Sequence, residues 1–277
     1  MNSRHLLSQI RQKESYLCIG LDTDYNKIPK FLLEFEYPLF EFNKRIVKST
    51  SDIAIAYKPN LAFYESLGSV GWMSLELTVN YIKTHHPEIF VIADAKRGDI
   101  GNTSKMYASA FFNHMDFDAI TVAPYMGSDS VTPFLQYDEK WVILLALTSN
   151  EGSQDFQMQK IASKRRFLYE EVMLKATEWG NSDQLMFVVG ATQSDRIKKL
   201  RKLIPNHFLL IPGVGAQGGN LKEISMGGMN SECGIIVNSS RNIIYADDTA
   251  NFDKVARDKA LEIRAEMSTY LKKKKII

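Results

Sequence analysis

The chain has 277 residues, 45% hydrophobic and 24% charged, with a formal net charge of +2. That balance excludes the basic excess of a nucleic-acid binder and the sparse apolar content of a disordered chain. No apolar run reaches the roughly eighteen residues a transmembrane helix needs, so a soluble, cytoplasmic protein without a membrane partner is expected. Cys18 and Cys233 stand in apolar, strand-like runs and are expected as buried free thiols of a reducing compartment. There is no CxxC or HxH pair, and only His85 and His86 are adjacent, so no metal site built from protein ligands is expected.

The opening MNSRHLLSQIRQK is polar with a helical period and lacks a signal peptide's apolar core, which predicts an N-terminal helix. Short β-rich runs then alternate with amphipathic segments. YLCIGLD (16–22) is followed by a long connection near 24–37 and the helical FEFNKRIVKSTSD. IAIAYKP (53–59) precedes WMSLELTVNYIKTHH, and FVIADAK (90–96) precedes TSKMYASAFFNHM. AITVAP (119–124) and WVILLALTS (141–149) come next, then a second long connection near 150–165 and RRFLYEEVMLKATEWG. LMFVVG (185–190), HFLLIP (207–212) and GIIVNSS (234–240) complete the strands, and DKALEIRAEMSTYLKKKK closes the chain with lysines that offset a helix dipole. Near-continuous apolar runs, rather than strict alternation, indicate strands covered on both faces, as in parallel sheets. Eight such strands alternating with helices predict an α/β fold, a single-domain (β/α)₈ TIM barrel over residues 1–277, with loop insertions near 24–37 and 150–165.

The residues that end these runs carry the functional signal. The first strand ends at Asp22, the second at Lys58, the third at Asp94 and Lys96, and the fifth at Thr148-Ser149. The seventh ends at Pro212-Gly213 and the eighth at Asn238-Ser239-Ser240-Arg241. In a barrel the C-terminal strand ends share one face, which is the active-site mouth. Asp94 and Lys96 are two apart, so strand alternation points both into that mouth. With Lys58 beside them and Asp99 at the entry to the next helix, charges of alternating sign form an array. Held cations beside held carboxylates suit a reaction in which negative charge moves and a proton is delivered. Arg97, on the opposite face, reads as structural or as an interface residue. SNEGSQDF, after the fifth strand, is either a closing lid or an exposed loop, and Tyr125 either lines the pocket or packs.

The run IPGVGAQGGN contains the pattern GxGxxG at Gly213, Gly215 and Gly218. A dinucleotide fingerprint follows the first strand of its unit and has an acid about twenty residues on. Here the pattern follows the seventh strand, and VNSSRN lies downstream without an acid. In barrels, phosphate is commonly held by the loops after strands seven and eight, where glycines let backbone N–H groups approach it. Arg241 adds a guanidinium suited to a bidentate grip.

The run Asp94-Ala-Lys96-Arg-Gly-Asp99-Ile100 resembles the DxKxxDI signature of the orotidine 5'-phosphate decarboxylases, and DAKRGDIGNTS resembles their longer bacterial subtype. KPN at 58–60, PGVGAQGG at 212–219 and the arginine of NSSR at 241 match in the same order, so the resemblance spans nearly the whole chain. It implies cofactor-free loss of CO₂ from orotidine 5'-monophosphate to give uridine 5'-monophosphate, the last step of de novo pyrimidine nucleotide synthesis. By that resemblance Lys96 delivers the proton to C6, while Asp94 crowds the substrate carboxylate and, with Lys58, holds Lys96. Asp99, with Ile100 and Thr103, reaches into the partner's site of a homodimer. Asp22 and Lys58 meet the ribose hydroxyls and Ser149 the pyrimidine edge. Pro212, Gly213, Gly215, Gln217 and Arg241 form the phosphate end.

Three rivals make contrasting demands. A magnesium-dependent sugar-phosphate decarboxylase or aldolase on the same barrel needs a carboxylate after the second strand, where this chain has Lys58 and only a more distant Glu65. A nicotinamide-dependent oxidoreductase needs the glycine motif after the first strand. A silent phosphate-binding barrel has no use for the Lys-Asp-Lys-Asp set.

Overall fold

The computed structural model describes residues 1–213 and 219–277. Among them, eight parallel strands close into a barrel: β1 Leu17–Leu21, β2 Ala56–Pro59, β3 Phe90–Arg97, β4 Ala119–Val122, β5 Trp141–Leu147, β6 Leu185–Val189, β7 Leu209–Pro212 and β8 Ile235–Ser239. The strands run in chain order around the barrel, and β8 closes onto β1 with Leu17 opposite Val237 and Ile19 opposite Ser239. β1 and β2 are buried throughout, as their unbroken apolar runs require.

Helices α1 (Ser3–Lys13), α2 (Pro38–Thr50), α3 (Leu61–Glu65), α4 (Gly68–His85) and α5 (Gly101–Ala108) occupy the first half. In the second half lie α6 (Leu168–Ala176), α7 (Ser194–Leu203), α8 (Leu221–Gly228), α9 (Arg241–Ile244) and α10 (Phe252–Lys273). Their starts follow local chemistry. Asn2 accepts the His5 N–H at the head of α1, Asn220 accepts the Glu223 N–H at α8, and Pro38 opens α2. The helix expected over TSKMYASAFFNHM widens into a π-helical turn at Ser109–His114. The β4–β5 connection uses two short 3₁₀ turns, Ser128–Ser130 and Phe134–Gln136, in place of a helix.

The closed end of the barrel is plugged by aromatic rings. Trp141 lies edge-on to Phe90 and to Phe208, with centroids 6.3 Å away in each case. Helix α1 spans this end: His5 Nε2 pairs with Glu88 O, and Lys13 Nζ donates to Ser51 O and Ala54 O. Trp141 Nε1 donates to Met1 O at 2.7 Å. With one mouth covered, chemistry is confined to the other. Both cysteines are buried thiols, and burial pushes each up to about 12.

The two insertions are folded rather than open. The first carries a 3₁₀ turn at Lys30–Glu34. The second forms a 3₁₀ turn at Glu151–Gln154 and an antiparallel pair, Lys160–Ile161 with Arg166–Phe167, so α6 starts only at Leu168. Ser153 is buried and Gln157, just past SNEGSQDF, is hydrogen-bonded to Thr148 at the end of β5. Asn150, Glu151, Gly152, Gln154, Asp155 and Phe156 are exposed, so the segment is a largely exposed loop pinned at Ser153.

Candidate active site

The site is built on β2 and β3. Lys58 is buried near the end of β2, and its Nζ donates to Asp94 Oδ2 at 2.6 Å. Lys96 Nζ donates to the other oxygen, Oδ1, at 2.5 Å. One carboxylate thus holds two ammonium groups. Burial pushes the Asp94 carboxyl up, but the charges of Lys58 and Lys96 together outweigh it, and the net direction is down. For Lys58, burial works against the charge while Asp94 and then Asp22 favour it, and the net direction is up. Asp94 and Lys58 are therefore ionised at neutral pH, each supporting the other's charge. The lysines differ in access: the Lys96 side chain is 50% exposed and that of Lys58 5%. The Lys96 ammonium is thus open to solvent while that of Lys58 is enclosed.

Strand alternation predicts that Asp94 and Lys96 share a face, and they do, but by another route. Ala93 pairs with Ile120 and Arg97 with Val122, so Asp94, Ala95 and Lys96 stand opposite the single residue Thr121. Lys96 takes the left-handed conformation, φ 47°. Arg97 leaves this bulge toward the outside. It pairs with Glu65 of α3, and its guanidinium lies over the rings of Tyr107 and Phe111, a structural tie between helices. Glu65 is thereby engaged by Arg97 and does not line the cavity next to Asp94.

A cavity of about 470 Å³ opens above this cluster. Lys58, Asp94 and Lys96 line one side; Thr148, Ser149, Asn150 and Gln157 line another. Leu145, Val188 and Leu210 give an apolar floor, and Pro212 closes the β7 side. The volume and the mixed wall suit a planar polar ring. Gln157 shapes its wall: Oε1 accepts the Thr148 N–H at 2.8 Å, and Nε2 donates to Thr148 Oγ1 at 2.9 Å. Thr121, Asn150 and Gln157 escaped the sequence reading. A hydroxyl between two aliphatics in AITV was a usable signal for Thr121; for Gln157 there was none.

Asp22 stands at the neighbouring rim. Its Oδ2 lies 2.8 Å from Ser240 Oγ, and the Tyr245 hydroxyl donates to its backbone carbonyl. Its Oδ1 is buried with no hydrogen-bond partner among the described residues. Gly20 permits this approach of β1 to β8, since a Cβ there would meet Ser240 Cβ at 2.8 Å. Arg241 opens α9 on the same rim and is exposed. Gly213 follows β7 with φ 96°, a conformation suited to glycine. Gly215 and Gln217 lie outside the described residues.

The remaining expected residues are not brought to this cavity within one chain. Asp99 is half-buried, and its Oδ1 accepts the Ile100 N–H at 2.7 Å. Ile100 and Thr103 are exposed. Met106, Tyr125 and Met126 are exposed as well; Tyr125, 88% exposed, neither lines the cavity nor packs into the core.

The bulged cation–carboxylate–cation cluster beneath an apolar-floored cavity at the mouth of a (β/α)₈ barrel is the kind of site found in barrel enzymes. The profile of the Orotidine 5'-phosphate decarboxylase / HUMPS family matches residues 15–254, and the chain belongs to that family. It is 60% identical over 272 residues to the orotidine 5'-phosphate decarboxylase of Bacteroides fragilis, covering 98% of this chain and 99% of that one. Identity to the enzyme of the same name from Parabacteroides distasonis is 59% over 277 residues, covering 100% and 99% of the two chains. Among solved structures, Leishmania donovani OMP decarboxylase superposes with a TM-score of 0.81 at 34% identity, covering 96% of this chain and 99% of that one.

Proposed function

We propose that this chain decarboxylates orotidine 5'-monophosphate to uridine 5'-monophosphate and CO₂ without a cofactor, closing de novo pyrimidine nucleotide synthesis in the cytoplasm. The observation that carries the reading is Asp94 held between Lys58 and Lys96 under a cavity with an apolar floor.

The bond from C6 to the carboxylate breaks, CO₂ leaves, and the electron pair stays on C6. Lys96 Nζ gives a proton to that carbon, and the neutral amine is recharged from solvent. Asp94 faces the substrate carboxylate as a second negative charge. Two such charges about 4 Å apart repel by roughly 4 kcal/mol at an effective dielectric near 20. That falls short of the roughly 8–23 kcal/mol that enzymes remove from a barrier. The larger share comes from the Lys96 ammonium, fixed before charge develops beside it. The apolar floor of Leu145, Val188 and Leu210 favours departing CO₂ over the carboxylate it came from.

Binding follows the same layout. The unpartnered Asp22 Oδ1 takes a ribose hydroxyl, with Lys58 beside it. Ser149 meets the pyrimidine edge. Pro212, Gly213, Gly215, Gln217 and Arg241 hold the phosphate. Asp99, Ile100 and Thr103 serve a second copy's cavity across a homodimer, which the exposed apolar surface of Ile100, Met106 and Met126 supports. The magnesium-dependent alternative loses ground because Glu65, its nearest carboxylate after β2, is committed to Arg97.

The test is the ultraviolet absorbance of orotidine 5'-monophosphate mixed with the protein, with and without EDTA. Rapid loss of the orotate band in both samples is expected. An unchanged band with folded dimer overturns the assignment, and loss only without EDTA overturns its cofactor-free form.

A further inference from the structure

The β3 bulge sets an unusual demand. Three consecutive residues of β3 face one residue of β4, an arrangement seldom found between parallel strands. Bulges leave the extra backbone groups unpaired, and here one of those groups belongs to Lys96, which is also held at φ 47°. A left-handed lysine persists only where its surroundings over-determine it. The group that meets the demand is the buried hydroxyl of Thr121.

Thr121 Oγ1 accepts the Lys96 N–H at 2.8 Å. The same oxygen lies 3.2 Å from Asp94 Oδ1 and 3.5 Å from Ala93 O. Its single proton goes to the carboxylate, the nearer and charged acceptor. Asp94 Oδ1 therefore takes hydrogen bonds from Lys96 Nζ and from Thr121. One hydroxyl fixes the main chain of the proton donor and the carboxylate that aims its ammonium. Ala123 N–H, bonded to Arg97 O at 2.8 Å, closes the bulge on the other side.

We propose that Thr121 is a positioning residue for the decarboxylation: by accepting from the Lys96 backbone and donating to Asp94, it holds the bulge that places Lys96 Nζ and the Asp94 carboxylate in register. This rests on the proposed function, since it concerns the same reaction. Thr121 acts through Asp94 and Lys96 and does not itself transfer a proton.

Valine is the isosteric deletion, keeping the shape and removing both hydrogen bonds, whereas serine keeps the hydroxyl and removes a methyl. For Thr121→Val, kcat falls roughly 10- to 100-fold, the cost of one charge-assisted hydrogen bond and an unpaired amide. KM moves by less than about threefold, because the lost interaction acts on the reacting centre. Thr121→Ser recovers kcat to within about fivefold of the parent. A readout independent of turnover is hydrogen exchange at the Lys96 amide, which speeds by about tenfold or more in the valine variant and not in the serine variant. The amides of Ile143 and Leu144 on β5 report whether the barrel as a whole has loosened. A valine variant with kcat within twofold of the parent, or a serine variant as slow as valine, overturns the proposal. So does an unchanged Lys96 amide. If the parent leaves orotidine 5'-monophosphate untouched, the assigned reaction fails, and the amide exchange still decides whether Thr121 holds the bulge.

Discussion

Lys58 and Asp94, from adjacent strands, meet at 2.6 Å with both side chains buried. Neither ion is stable there alone. Taking an ammonium out of water costs several kcal/mol, which is recovered only while the carboxylate stands beside it. Asp94→Asn keeps the size and removes the charge, leaving Lys58 buried with its contact partner neutral. The variant is expected to lose about 3 kcal/mol of stability, read from urea unfolding, together with nearly all turnover. The net lowering of Asp94 fixes the sign of its pH dependence. Its contribution is complete above the unfolded carboxylate range near pH 4 and is lost as pH falls below it. Full stability in the asparagine variant would show that the cluster is solvated enough not to need its centre.

Lys96 invites a paired substitution. Its φ of 47° is costly for any residue with a Cβ and free for glycine. Both Lys96→Ala and Lys96→Gly remove the proposed proton donor and are expected to lower kcat by at least roughly 1,000-fold. Their stabilities should differ in the order opposite to ordinary strand positions, with glycine more stable by about 1 kcal/mol. Thermal unfolding of the two proteins checks this. Alanine as stable as glycine would mean that the bulge relaxes once the lysine is gone.

The strand-end residues were legible because a barrel brings sequence-distant ends to one mouth, and apolar runs terminating in Asp22, Lys58, Asp94, Lys96 and Ser149 mark those ends. The alternation rule put Asp94 and Lys96 on one face correctly but for a reason the structure replaces: a bulge opposite Thr121 does the aiming. A bulge arises from pairing between chains of residues far apart, and no local pattern records it. Gln157 was hidden for the same reason, because its partner Thr148 becomes visible only once the insertion folds back. Asp99, Ile100 and Thr103 carry a signature in sequence, yet one chain alone gives them no cavity to serve.

His207, just before β7 at the closed end of the barrel, is a separate liability. Both ring nitrogens are buried without a hydrogen-bond partner among the described residues, and its backbone carbonyl accepts from Arg201. Burial first, and then the Arg201 charge, push its pKa down to about 4. In the unfolded chain the ring titrates near 6.5, so between these values the unfolded state binds more protons. Its contribution to stability is full above about pH 6.5 and is lost as pH falls toward 4, with a slope of about 1.4 kcal/mol per pH unit. His207→Phe keeps a ring beside Phe187 and should flatten the stability profile between pH 5 and 6.5 without moving it at pH 8. An unchanged slope in the variant would assign the acid sensitivity to other groups.

The dimer proposal yields a test that no single-chain mechanism can imitate. In a two-fold assembly in which each site takes Lys96 from one copy and Asp99 from the other, the variants Lys96→Ala and Asp99→Ala are each inactive for different reasons. Mixed and allowed to exchange, they form heterodimers in which one site has lost both groups and the other has kept both. Random assortment makes about half of the dimers mixed, each with one intact site of two, so activity returns to about one quarter of the parent's. The exposure of Ile100 and Thr103 and the placement of Asp99 outside its own cavity are the structural grounds for expecting this. If Asp99 instead folded back into its own site, no mixture would regain activity, because every site would lack one group or the other. The ratio of mixed to pure activity, followed as subunits exchange, therefore separates a shared site from a self-contained one.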